Sequence, residues 1–282
     1  MRFGVHCSLK KGLSGALQEA KAKGCESLQI FTRSPRVWKM KTPPDSEINK
    51  FKTLRKKYNL FPLVVHIPYL PNLASAKKEL FDLSLQALKD DLAICEKLGA
   101  EYLVIHPGSF SEDSNMWKGI ENIITGLNLA LKAVPGKSMI LLETMAGGGR
   151  RIGARFDEIE CIMGKVKEQK RIGVCLDTAH TFAAGSDFST KAGIDKALKM
   201  IDLEIGLKNV KVIHFNDSLV PKGSQKDRHQ HLGKGMIGEE GLKYLVKRLN
   251  KTAAAGILET PKEPGEADIR NLKLLFKWRD ED

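Results

Sequence analysis

Met139-Ile140-Leu141-Leu142-Glu143 and Gly173-Val174-Cys175-Leu176-Asp177, separated by a segment of helical period over Phe156–Glu168, decide how this chain folds. Short apolar, β-branched runs alternating with longer helical stretches are the signature of parallel α/β architecture. The same unit recurs eight times. The other strands are read at Phe3–His6, Ser27–Phe31, Leu63–His66, Tyr102–His106, Val210–His214 and Ala255–Glu259. The other helices are read at Leu13–Lys23, Ser46–Tyr58, Ala76–Leu98, Trp117–Ala133, Lys191–Ile205, Glu239–Leu249 and Ile269–Phe276. With 282 residues, near the ~250 typical of the fold, the expectation is a (β/α)8 TIM barrel. No proline-rich linker or low-complexity tract interrupts it, so one domain spanning 1–282 is expected.

Working outward from the strands, six of the eight end in, or run directly into, a metal-type side chain: His66, His106, Glu143, Asp177, His214 and Glu259. The C-terminal ends of barrel strands open on one face, so these six should converge on one pocket. A single such residue is more often a hydrogen-bonded His or a helix-capping Asp. Six in register are different, because unpaired buried carboxylates repel one another unless cations compensate them. His180, three residues past Asp177, and the pair Asp227-x-His229 in the long loop Ser218–Gly238 raise the count to nine. Imidazole and carboxylate without thiolate suit catalytic Zn²⁺, with Mn²⁺ or Fe²⁺ as lesser possibilities. Nine ligands, one of them bridging, suffice for three ions, and a cluster of divalent ions suits phosphodiester hydrolysis.

Composition narrows the partners. Forty-six Lys and Arg against 34 Asp and Glu give a formal charge of +12, a field that attracts polyanions such as nucleic acid. Cys7, Cys25, Cys95, Cys161 and Cys175 are odd in number and widely spaced, so neither a disulfide framework nor a thiolate zinc knuckle is indicated. No stretch approaches the ~18 apolar residues of a membrane span, and Met1 leads into Arg2-Phe3-Gly4 without a signal-type apolar run. A cytoplasmic protein with no membrane partner is expected.

The loops after the strands carry specific motifs: Gly4-Val5-His6-Cys7-Ser8, Phe31-Thr32-Arg33-Ser34-Pro35-Arg36-Val37-Trp38, and His66-Ile67-Pro68-Tyr69-Leu70-Pro71-Asn72-Leu73-Ala74-Ser75. Further on come His106-Pro107-Gly108-Ser109, Glu143-Thr144-Met145-Ala146-Gly147, Val174-Cys175-Leu176-Asp177-Thr178-Ala179-His180, Ile213-His214-Phe215-Asn216-Asp217-Ser218 and Lys226-Asp227-Arg228-His229. Over essentially its whole length the sequence resembles the endonuclease IV family of zinc-dependent abasic-site nucleases. The resemblance implies three zinc ions: one on His66, His106 and Glu143, a second on Glu143, Asp177, His214 and Glu259, a third on His180, Asp227 and His229. It implies that Glu143 bridges two of them and that Glu259 helps orient the attacking water. The implied reaction cuts duplex DNA 5′ to an abasic site, leaving a 3′-hydroxyl, and clears blocked 3′ ends. Arg36, Tyr69 and Leu70 match positions that enter the minor groove and hold the extruded nucleotide, and a monomer is the default.

His6 and His231 lie outside the ligand set and are read as donors that orient ligands, His231 alternatively as a phosphate contact or a solvated loop residue. The sequence departs from the family pattern at Ala179, Gly148 and Leu219, where Cys, Gln and Lys are usual; none is a ligand position. A metal-dependent sugar isomerase or epimerase on the same barrel is the rival, since Glu143, Asp177, His214 and Glu259 alone would serve it. It leaves His66, His106, Asp227-x-His229 and the charge unexplained. A scaffold without chemistry would not keep so many buried ionisable groups.

Overall fold

In the computed structural model, which describes all residues except 35, 36, 39–41, 264, 265 and 282, eight parallel strands close into a barrel. They are β1 (Phe3–Cys7), β2 (Ser27–Phe31), β3 (Leu63–His66), β4 (Tyr102–Ile105), β5 (Met139–Glu143), β6 (Ile172–Asp177), β7 (Val210–His214) and β8 (Ala255–Leu258). Each pairs with its sequence neighbour, and β1 meets β8 through Phe3↔Gly256 and Val5↔Leu258. Closure brings β1 so near β2 that a Cβ on Gly4 would lie 2.0 Å from the Ser27 carbonyl oxygen, which only glycine permits.

Side chains alternate along a strand, and two apolar clusters follow. The larger lies between strands and helices. The smaller fills the barrel with Val64, Val104, Leu141, Cys175, Val212 and Ile257, all fully buried. Two residues beyond these six, on the same strand face, stand His66, His106, Glu143, Asp177, His214 and Glu259. The barrel interior is thus apolar below and ionisable at its C-terminal mouth.

The outer helices are α1 (Gly12–Ala22), α2 (Asp45–Tyr58), α3 (Lys78–Leu98), α4 (Met116–Ala133), α5 (Phe156–Lys165), α7 (Lys191–Glu204), α8 (Gly238–Leu249) and α9 (Ala267–Asp280), with the short α6 (Thr178–Ala183) directly after β6. Most agree with the sequence reading within two residues. The segment read as Phe156–Glu168 stops at Lys165 because Val166 turns extended (ψ 131°) and buries its side chain. The last helix runs longer at both ends than Ile269–Phe276, because Ala267 and Trp278 are buried. Among the described residues no helix is long and apolar enough to cross a membrane.

Candidate metal centre

Strand register sets the geometry. Glu143, at the end of β5, is fully buried; its Oε2 lies 3.0 Å from His66 Nε2 and 3.1 Å from His106 Nε2, and its Oε1 lies 3.1 Å from His214 Nδ1. His214 Nδ1 also faces Glu259 Oε2 at 3.3 Å and Asp177 Oδ2 at 3.8 Å. Asp177 caps α6 by accepting from the His180 amide at 2.7 Å, and that short helix carries His180 back over the barrel. The loop after β7 is pinned by Asp217, whose carboxylate accepts from the amides of Ser218, Gly235, Ile237 and Gly238. A two-residue ribbon, Asp217–Ser218 against His229–Gln230, then delivers His229 to the mouth.

Three groups of side chains meet closely enough to hold ions: His66, His106 and Glu143; Glu143, Asp177, His214 and Glu259; and Asp177, His180 and His229. Asp227 Oδ1 stands 3.1 Å from His180 Nε2 and 3.4 Å from His229 Nε2, so the expected trio does come together, and Asp177 joins it. All nine residues singled out from the sequence therefore share one site.

The protonation pattern fits cations. His66 Nδ1 donates to the Ile67 carbonyl (2.7 Å), His180 Nδ1 to that of Thr144 (3.0 Å) and His229 Nδ1 to that of Glu259 (3.2 Å). A neutral imidazole carries one proton, so each opposite nitrogen presents a lone pair to the site. The Nε2 atoms of His180 and His229 consequently face each other at 3.3 Å, a contact that needs a positive charge between them. Burial would raise Glu143 and Glu259, yet His106 and His214 beside the first, and His214 and His6 beside the second, hold both carboxyls well below the usual range. Burial would lower His180, yet Asp177, Asp227 and Glu143 raise it well above the ordinary value. Four carboxylates so close together are a site for divalent ions when the imidazoles are neutral.

Several orienting groups escaped the sequence reading. Asn216 donates to Asp177 Oδ2 (2.7 Å) and accepts from the Glu259 amide, Thr144 Oγ1 accepts from the Asp177 amide (2.9 Å), and Gln29 from β2 touches His214, His6 and Glu259. Asn216 and Thr144 lie inside quoted motifs. Gln29 could have been found by asking which residue of the second strand sits level with the ligands.

The remaining candidates fall out unequally. His6 reaches Glu259 Oε1 at 3.4 Å, as expected of a residue that orients a ligand. His231 departs from the sequence reading: it is buried, not solvated, accepts from Asn271 and faces Glu263, and has no polar contact with the nine. Tyr69 is 67 % exposed on the rim, its ring 5.8 Å from that of His106 and 5.9 Å from that of Phe31; Leu70 beside it is half-buried. Arg36 lies outside the described residues. Gly148 has φ +84°, and a Cβ there would meet the Gln225 carbonyl at 2.7 Å, so in this chain the loop leaves no room for the usual Gln.

Fold and site together define a class: TIM-barrel proteins with a cluster of metal-type side chains at the C-terminal mouth. Residues 17–277 match the model of the family described as Xylose isomerase-like TIM barrel. A curated relative from Halothermothrix orenii, named Probable endonuclease 4, is 43 % identical over 276 residues, 98 % of this chain and 99 % of its own. The crystal structure of endonuclease IV from Thermus thermophilus superposes with a TM-score of 0.87 at 39 % identity, over 99 % of this chain and 98 % of that one. A D-tagatose 3-epimerase-like protein also shares the fold (TM-score 0.74, 20 % identity, 99 % and 97 % covered). The chain belongs to the endonuclease IV family of hydrolases.

Proposed function

We propose that this protein is a DNA-repair endonuclease that hydrolyses the phosphodiester bond 5′ to an abasic site in duplex DNA through three zinc ions, leaving a 3′-hydroxyl and a 5′-deoxyribose phosphate. The observation that carries the proposal is the third group, in which Asp177, His180, His229 and Asp227 add to the two groups around Glu143. A small neutral sugar has no need of it, whereas a phosphodiester offers several anionic oxygens to neutralise. The formal charge of +12 supports the same substrate class.

His66, His106 and Glu143 would hold one ion; Glu143, Asp177, His214 and Glu259 a second; His180, Asp227 and His229, with Asp177 adjoining, the third. Bound zinc supplies a water of lowered pKa, neutralises phosphate oxygens and stabilises the leaving alkoxide, and Mn²⁺ is a chemically reasonable substitute. The chain's own part is positioning. Glu143, with no exposed surface, bridges two groups and cannot move without disturbing both. Within the group of Glu143, Asp177, His214 and Glu259, Glu259 alone keeps side-chain exposure, 18 %, so its carboxylate is the one of that group best placed to orient a water entering from the mouth and take up its proton. Arg36, Tyr69 and Leu70 would wedge into the minor groove, where a missing base makes extrusion of the nucleotide cheaper. The same chemistry would trim blocked 3′ ends, and one chain suffices for it.

The test offers the zinc-loaded protein three substrates separately: an abasic duplex, the intact duplex and a ketohexose. Cleavage restricted to the abasic duplex supports the proposal. Epimerisation of the sugar with both duplexes left whole overturns it.

A further inference from the structure

Seven of the eight strands bring an ionisable side chain to the mouth; β2 brings Gln29, which is fully buried. Its amide oxygen lies 2.9 Å from His214 Nε2. A carbonyl oxygen only accepts, so His214 carries a proton on Nε2 and, when the imidazole is neutral, turns the Nδ1 lone pair toward Glu143, Asp177 and Glu259. The amide nitrogen donates to Glu259 Oε1 (2.5 Å) and lies 3.0 Å from His6 Nδ1, which leaves Glu259 Oε2 facing inward at 3.3 Å from His214 Nδ1. Flipping the amide would set its oxygen against the Glu259 carboxylate, which only accepts, so the donor side of the amide is fixed by Glu259 and the acceptor side falls to His214.

We infer that Gln29 is a positioning residue of the metal centre: one amide fixes the tautomer of His214 and the facing oxygen of Glu259, two ligands of the same group. The inference rests on the metal reading above. His66, His180 and His229 have their outer nitrogens held by backbone carbonyls, which no side-chain substitution removes. His214 has its outer nitrogen held by a side chain, and its tautomer is therefore open to mutation. Glutamate at 29 would still accept from His214 but repel Glu259, and methionine of similar volume would do neither.

The experiment measures stepwise zinc affinity of the full-length, metal-stripped protein by competition with a chromophoric chelator, alongside its thermal unfolding. Outer partners of metal ligands typically contribute about 10–100-fold in affinity, so Gln29→Met should weaken one binding step by about that factor and leave the others alone. In the zinc-loaded protein labelled with ¹⁵N-histidine, the slowly exchanging Nε2–H of His214 should persist in Gln29→Glu and be lost in Gln29→Met. Wild-type affinity at every step in Gln29→Met, with or without a lowered unfolding temperature, overturns the inference while sparing the metal reading. So does loss of the His214 Nε2–H signal in Gln29→Glu. A wild-type protein that takes up no zinc overturns both readings.

Discussion

Replacing Glu143 by Gln tests the shared carboxylate. The change is isosteric and fills the same fully buried space, so the barrel should still form. What it removes is an anionic ligand common to two of the three groups, leaving His66 and His106 as a bare pair and Asp177, His214 and Glu259 as a trio. The new amide would also point N–H bonds at imidazole nitrogens that now lie within 3.4 Å of the carboxylate. The zinc count after dialysis should fall by at least one from three. An ion contributes several kcal/mol of transition-state stabilisation, and about 1.4 kcal/mol is a factor of ten in rate, so cleavage of an abasic duplex should slow about 10³-fold or more. Zinc is measured by mass spectrometry, folding by circular dichroism and cleavage on a denaturing gel under single-turnover conditions. A folded variant with the full zinc complement and a rate within tenfold of wild type would refute the shared-ligand reasoning.

Tyr69→Ala should weaken binding to an abasic duplex more than to an intact one in a fluorescence-anisotropy titration; equal losses would show that Tyr69 is no wedge. Gly4→Ala forces a Cβ against the Ser27 carbonyl and should cost about 3 kcal/mol or prevent folding, whereas an unchanged urea midpoint would mean that β1 and β2 can separate. Asp91, fully buried, is pushed by burial from 3.8 to about 6, with Arg33 at 2.8 Å and Thr32 pulling the other way. The folded state thus holds this proton more tightly than the unfolded state. Its contribution is fully present below pH ~4 and about 3 kcal/mol is lost as pH rises through 6. The stability of wild type relative to Asp91→Asn, read from urea unfolding between pH 4.5 and 7.5, should fall across that range; a flat difference would contradict it.

The barrel was legible because its signal is periodic: each strand is a short apolar run that pairs with its neighbours in sequence, and β1 with β8 closes the ring, so alternation implies the topology. Six of the nine candidate ligands were legible for a related reason. In six strands the side chain two positions beyond the inward apolar residue is ionisable, as Val64 to His66 and Leu141 to Glu143 illustrate. Gln29 sits level with them, two positions beyond Ser27, but an uncharged amide carries no metal signal, and its role depends on partners 23, 185 and 230 residues away. The ribbon that pairs Ser218 with His229, and that between Gly108–Ser109 and Arg151–Ile152, were invisible because two-residue pairings have no period. Helix α6 was missed because its six residues, Thr178–Ala183, are all buried and show no amphipathic face. His231 reads from the sequence as an orienting donor, or alternatively as a phosphate contact or solvated loop residue; it is buried, and its partner Asn271 on α9 lies forty residues on.

The most direct measurement incubates zinc-loaded and metal-stripped protein with an end-labelled duplex holding a single synthetic abasic site and determines the chemistry of the new ends. The account predicts one zinc-dependent cut immediately 5′ to the lesion, ending in a 3′-hydroxyl, with no cut by the stripped protein. Equal cleavage with and without zinc, a cut 3′ to the lesion, or no cut by the zinc-loaded protein would contradict it.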